Sequence, residues 1–249
     1  MEVSTKVRDI YDDYIKDLNE VKIKSRYQGM EDWYHSSIAG LCIRKHYFGT
    51  ILNIKGSEKD VNTMRLFRLG DIVHSDIQEA VRLNAEQTGA SIYIEKELFI
   101  PALNVRGFID LAFVDEDVMY DIKTCNSFKW RSMFGRNATQ GPSDNYMLQL
   151  GTYGYWYNQT HEKDLKALYL CFYNKDNSTM KEISISLDSI NRARDYWLSV
   201  AHFFREDSVG KGIPPVELGS SPMAAWECNP KYCSYFKECG GGLKPELLK

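Results

Sequence analysis

No apolar run in this 249-residue chain approaches the roughly 20 residues of a membrane span, so the sequence offers no transmembrane helix. The opening Met1–Asp9 stretch lacks the apolar segment of a secretory signal, and the expectation is a cytoplasmic protein. There is no Gly-x-x-x-x-Gly-Lys-Ser/Thr phosphate loop, which excludes a P-loop motor; the chain acts alone or recruits a partner. Repeats and low-complexity tracts are absent as well. An excess of basic residues is also lacking: 31 Lys and Arg stand against 34 Asp and Glu, a net charge of −3. That balance neither requires nor excludes a nucleic-acid partner, because such binding needs a local basic patch rather than a basic average. The candidate patches are Lys22–Arg26, the pair Arg65 and Arg68, and Lys129–Arg136.

What is present is an ordinary globular composition, 43% hydrophobic and 26% charged, in a chain long enough to bury a core. Apolar residues at 3, 7, 10, 11, 14, 15, 18 and 21 recur with helical period. Beyond a loop to about residue 36, Ser36–Leu52 reads as a helix capped by Ser36 or Ser37. A second helix covers 62–88, with Leu66, Leu69, Val73, Ile77, Ala80 and Val81 on its buried side. Strands are expected near 91–100, 105–114 and 118–124, then a loop over 128–143, a helix at 145–159, strands at 167–174 and 181–186, and a helix at 188–206. The tail is Pro/Gly-rich from Gly210 to Pro222. This order predicts one mixed α/β sheet with helices on its faces.

The chemistry concentrates in a hairpin. Folding about Asp115-Glu116-Asp117 sets Asp121 opposite residue 110 or 111, so that Asp110 and Asp121 become neighbours. Asp121 and Lys123, two apart in a strand, share a face. Two close carboxylates are costly unless a cation sits between them. Hard oxygen ligands beside an amine suit Mg²⁺ or Mn²⁺ and an attacking water, the chemistry of metal-dependent phosphodiester hydrolysis. Gly70 and His74, four apart, share one helix face, the glycine leaving room beside the imidazole; Gln149 and Tyr153 are again four apart. Alone, His74 reads as a satisfied helix histidine, and Gln149 with Tyr153 reads equally as a polar helix edge. Glu97, on the strand before Asp110, is a further candidate, and Glu95 has the same parity.

Six cysteines fall into two sets. Cys125 and Cys171 lie in apolar strand-like runs and read as small core residues. Cys42 and the triplet Cys228-x4-Cys233-x5-Cys239 offer four thiolates, which suit either Zn²⁺ or a [4Fe–4S] cluster. Among the aromatics, Trp130, Phe134 and the run Tyr153–Tyr157 are candidates to stack on unpaired bases, beside the candidate DNA contacts Lys129, Arg131 and Arg136.

Taken in order, Gly70–His74, Gly107-Phe-Ile-Asp110, Asp121-Ile-Lys-Thr124 and Gln149–Tyr153, with flanking cysteines, resemble the RecB-type iron–sulfur branch of the PD-(D/E)XK nuclease superfamily. That branch includes the CRISPR-associated adaptation nuclease, AddB-type nuclease domains and related phage exonucleases. The match covers roughly residues 36 to 240; it departs in having Asp121 where glutamate is also frequent and a first C-terminal cysteine gap of four where some relatives have two. The resemblance implies a restriction-endonuclease-like fold in a single nuclease domain over 1–249: a helical region at 1–64 with Cys42, the core at 65–190, and a C-terminal helix and cysteine segment at 191–249. It implies that His74, Asp110, Asp121 and the Ile122 backbone carbonyl bind Mg²⁺ or Mn²⁺, while Lys123 handles the attacking water and Gln149 and Tyr153 serve catalysis. It implies that Cys42, Cys228, Cys233 and Cys239 hold a [4Fe–4S] cluster rather than zinc. The function implied is an exonuclease acting on DNA ends or single strands in the cytosol of a bacterial, archaeal or phage-infected cell. A helicase, recombinase or CRISPR integration partner, or assembly with further copies of the chain, would complete it. The alternative is a non-cleaving nucleic-acid-binding or scaffold module that keeps the fold.

Overall fold

The computed structural model describes residues 6–27, 32–204 and 227–239; the Gly210–Pro222 tail and the Arg26 side chain lie outside them. In chain order the elements are helix α1 (Val7–Tyr27), the short strand β1 (Tyr34–His35), a single turn α2 (Arg44–His46), helix α3 (Val61–Thr88), strands β2 (Ile92–Ile100), β3 (Val105–Phe113) and β4 (Val118–Cys125), helices α4 (Ser127–Phe134) and α5 (Asp144–His161), strands β5 (Ala167–Asn174) and β6 (Met180–Ile185), and helix α6 (Asp188–His202).

The strands form one six-stranded mixed sheet flanked by helices. It begins with the meander β2–β3–β4, both pairs antiparallel. The chain then crosses over through α4 and α5, and β5 pairs parallel with β4 from Val118↔Ala167 to Cys125↔Asn174. A parallel pair needs a crossover of a dozen or more residues, and these two helices supply it. β6 closes one edge antiparallel to β5, and β1 lies parallel against the start of β3. Strands buried on both faces read as continuous apolar runs; Leu168, Leu170 and Phe172 of β5 and Met119 and Ile122 of β4 are all buried. α5 and α6 approach closely at Gly151, where a Cβ would stand 2.1 Å from the Ser189 carbonyl oxygen.

Three expectations need correction. Ser36–Leu52 is not one helix: it comprises a 3₁₀ turn at 36–38, α2, and a π turn at 47–51. Gly40 breaks it with a φ of +71, passing so near α5 that a Cβ would meet Leu148 Cδ1 at 2.6 Å. Ser36 is buried and makes no cap. The loop expected over 128–143 begins as helix α4, capped by the Asn126 side chain, which accepts from the Lys129 N–H at 2.9 Å. On α3 the apolar stripe does not decide what is buried: Leu66 and Leu69 stay 55% and 42% exposed, whereas Gln78 and Ala85 are the buried residues. α3 starts on the Asp60 cap and ends at Gly89, whose φ of +75 suits a residue without a Cβ. Ion pairs Lys22–Asp71 and Arg65–Asp12 join α3 to α1, so two candidate basic stretches spend charge inside the fold. No helix among the described residues is long and apolar enough to cross a membrane.

Candidate functional site

β3 and β4 are paired only over Leu111↔Tyr120, Ala112↔Met119 and Phe113↔Val118. Extending that register places Asp121 opposite residue 110, where the ladder stops. The strands part there, and the Ile122 N–H turns to the Asp110 side chain, donating to Oδ2 at 2.8 Å. The turn behind is stapled shut: Asp117, with φ +59, takes ion pairs from Lys163 and Lys166 and a 3.0 Å hydrogen bond from Tyr157.

Asp121 is fully buried, and neither of its carboxylate oxygens has a hydrogen-bond partner among the described residues. Lys123 Nζ lies 2.7 Å from Oδ2 as an ion pair. Burial first, then the neighbouring Asp110 charge, pushes Asp121 up to about 7. Burial works against the Lys123 ammonium, yet Asp121 and Asp110 hold its pKa above the usual lysine value. His74 Nδ1 stands 3.8 Å from Asp110 Oδ2. Burial and Lys123 push this histidine down, favouring the neutral imidazole that a metal requires.

The anionic side of the site includes a residue left undecided by strand parity. Ligand atoms of His74, Glu95 and Asp110 all lie within 4.8 Å of one another. Glu95 has a φ of +46 in mid-strand, a conformation costly for a residue with a Cβ. Gln78, one turn beyond His74, donates to Glu95 Oε1 at 3.1 Å and to the Asp110 carbonyl at 3.0 Å. Glu97 is engaged elsewhere, paired with Arg106 at 2.7 Å. The left-handed backbone separates the two glutamates, and no sequence pattern announces it. The spacing His74–Gln78 was the one signal available for Gln78.

On the other side, Lys123 donates to Gln149 Oε1 at 3.0 Å, and Gln149 donates to the Tyr153 phenol at 2.6 Å. Ser36 reaches the same phenol at 3.4 Å. This close approach explains Gly107: a Cβ there would meet Ser36 Oγ at 2.3 Å. Gly70 faces Thr124 Oγ1, which a Cβ would meet at 3.2 Å, so its vacancy admits the end of β4 rather than the imidazole. Tyr153 and Tyr157 are buried, which removes them as base-stacking surfaces, while Trp130 is half-buried with its ring against Phe134. Arg131 and Arg136 are exposed and Lys129 half-buried; the aromatic presented on α4 is Phe128, 75% exposed.

These groups fit a hard divalent cation: oxygen and imidazole donors converge beside a buried carboxylate whose one partner among the described residues is the Lys123 ammonium. The four expected cysteines also come together. Cys42, Cys228, Cys233 and Cys239 line one pocket with Arg44, Lys45, Phe48, Glu227, Tyr235 and Phe236. Residues 227–239 dock through Ser57 N–H to the Ser234 carbonyl at 2.8 Å and Phe48 stacked on Tyr235. Close packing at Gly49 and Gly56 leaves no space for a Cβ beside Tyr235 and Ser234. Four thiols in one pocket fit a thiophilic metal centre. Cys125 and Cys171 are buried strand residues apart from it.

No family model matches the chain, and neither does any curated protein. Among solved structures, SSO0001 aligns with a TM-score of 0.57 at 17% identity, over 94% of this chain and 98% of that one. The alkaline exonuclease LHK-Exo from Laribacter hongkongensis aligns with a TM-score of 0.44 at 10% identity, over 71% of this chain and 90% of that one. The likeness to SSO0001 is one of fold.

Proposed function

We propose that the chain is a Mg²⁺- or Mn²⁺-dependent deoxyribonuclease of the RecB-type PD-(D/E)XK kind, working as an exonuclease on DNA ends or single strands. The observation that carries this reading is Asp121: a buried carboxylate without hydrogen-bond partners, opposite Asp110 and ion-paired with Lys123. Burying a carboxylate this way is unfavourable without a cation, and His74, Glu95 and Asp110 supply the remaining donors.

When bound, the cation supplies Lewis acidity and a more acidic water. The protein's own residues do the rest. Lys123, kept protonated by its carboxylate neighbours, offers positive charge to the phosphoryl oxygens as negative charge builds in the transition state. Gln149 aims the ammonium, Tyr153 and Ser36 fix the amide, and Gln78 holds Glu95 against Asp110. Arg131 and Arg136, both exposed, would meet the phosphate backbone. Cys42, Cys228, Cys233 and Cys239 would hold a [4Fe–4S] cluster that ties the C-terminal segment to the N-terminal region. DNA recombination and repair, phage DNA processing and CRISPR adaptation are the settings that suit such an enzyme.

The test is cleavage of end-labelled single- and double-stranded DNA with Mn²⁺, wild type beside Asp110→Ala and Lys123→Ala. Shortening from the ends by wild type alone is expected. Equal cleavage by a folded Asp110→Ala protein refutes the site, and DNA binding without cleavage by wild type would favour the non-cleaving module.

A further inference from the structure

The cysteine pocket contains two cations with different assignments. Lys45 is answered by a carboxylate: its Nζ lies 3.0 Å from Glu227 Oε2, and Glu227 is 3% exposed. The same oxygen accepts the Cys42 backbone N–H at 3.1 Å, so this pair latches the C-terminal segment onto the residue that bears the first thiol. Arg44 reaches a sulfur. Its Nη1 donates to Cys239 Sγ at 3.0 Å. Arg44 sits two residues after Cys42, at the start of α2, so one short stretch brings both a thiol and a guanidinium to the pocket.

A hydrogen bond to a cluster-ligating sulfur favours the more negative state of the cluster, and so does a nearby positive charge. One-electron reduction takes a [4Fe–4S]²⁺ cluster to [4Fe–4S]⁺, adding one negative charge. A guanidinium is a planar, permanently charged donor whose N–H direction is set by its fork, which suits it to this contact better than a mobile ammonium.

We propose that Arg44 is a positioning and tuning residue for the cluster: by donating to Cys239 Sγ it raises the cluster's reduction potential and keeps Cys239 on its iron. The proposal rests on the iron–sulfur reading of the four cysteines. Lys45 and Glu227 have a separate task, holding residues 227–239 in place whatever the oxidation state.

The experiment uses the full chain purified without oxygen. Iron and sulfide are assayed, and the cluster is titrated with dithionite in the presence of mediator dyes, following its visible absorbance and the paramagnetic signal of the reduced form. Arg44→Gln should move the midpoint to a more negative potential and hasten iron loss to a chelator. Arg44→Lys, which keeps the charge but not the fork, should fall between. Lys45→Gln should speed iron loss while the retained clusters titrate near the wild-type midpoint. A wild-type midpoint in both Arg44 variants overturns the proposal, including the case in which iron content falls and the remaining cluster titrates unchanged, since that marks a packing role alone. A wild-type protein lacking both iron and sulfide overturns the cofactor reading and this inference with it, while leaving the carboxylate site intact.

Discussion

The two metal-competent regions of the molecule are electrostatic opposites. Where β3 and β4 part, negative groups predominate: Asp110, Asp121 and Glu95 gather around Lys123 and a histidine held toward neutrality. In the cysteine pocket the thiols meet cations, Arg44 at Cys239 and Lys45 balanced by Glu227. The Cys42 thiol itself is pushed up to about 11, by burial above all. In the first region one lysine faces three carboxylates, a surplus of negative charge that a hard dication would offset. In the second, burial disfavours the Cys42 thiolate, which a thiophilic metal would have to stabilise. The teaching is that one chain builds two polar clusters whose charged surroundings have opposite sign.

That contrast can be broken most severely at Asp121. Asp121→Asn should cost at least about 100-fold in Mn²⁺-dependent cleavage, by analogy with the 10–100-fold losses seen even for residues behind the ligands. The visible absorbance of the cysteine site should not change; parallel loss of both in a folded protein would show that the regions are coupled.

Next in size is cation binding. At a Mn²⁺ concentration of 100 times Kd, the wild type should gain about 2.7 kcal/mol of stability, read as a rise in Tm. Glu95→Gln should weaken this binding by about 10-fold or more, whereas Glu97→Gln should leave it alone, because Glu97 is committed to Arg106. The reverse ranking would exchange the two glutamates.

A pH titration of the metal-free protein sharpens the comparison, because the two regions should respond with opposite signs. Asp121 has a folded pKa of about 7 against 3.8 unperturbed, so the folded state holds an extra proton in that window. Its contribution is full below 3.8 and is lost as pH rises through about 7. His35 and His46, beside the cysteine-bearing turn, are pushed down by burial to about 4 and about 3 from 6.5. Their contribution is full above 6.5 and declines as pH falls toward those values, with a slope of up to about 1.4 kcal/mol per pH unit for each group. Hydrogen exchange from pH 7 to 5 should therefore show firmer protection around Asp121 and weaker protection around α2. Matching trends in both would disprove the assignment.

The smallest effects concern glycines. Gly107→Ala has no space beside Ser36 and Tyr153 and should cost about 1–3 kcal/mol in denaturant unfolding. Gly70→Ala should be near neutral: Thr124 must yield slightly, but alanine adds about 1 kcal/mol of helix propensity.

Much of this arrangement was legible because period and spacing report it directly. The long helix Val61–Thr88, the meander and the alignment of Asp121 with residue 110 all follow from local patterns. What escaped depends on distant contacts. The chain over 36–52 carries helical periodicity, but Gly40 must turn left-handed against Leu148, more than a hundred residues away. Leu66 and Leu69 fit a buried stripe that no neighbour among the described residues fully covers, and Glu95 leaves the parity rule through its own backbone. The four cysteines converge on one pocket, as their residue type suggested, but Arg44 and Glu227 emerged only from the packing around them.

The stapled turn at Asp117 has a mechanical consequence. β3 and β4 are clamped at their bend and parted at their mouth, like a pair of tweezers. From Asp117 to Asp121 the arm is four residues, about 13 Å at the rise of a strand. A small rotation at the clamp is thus magnified into a change of gap between Asp110 and Asp121. Lys163 and Lys166, which hold Asp117 at the closed end of the hairpin, act as the screw that sets the opening of the jaws.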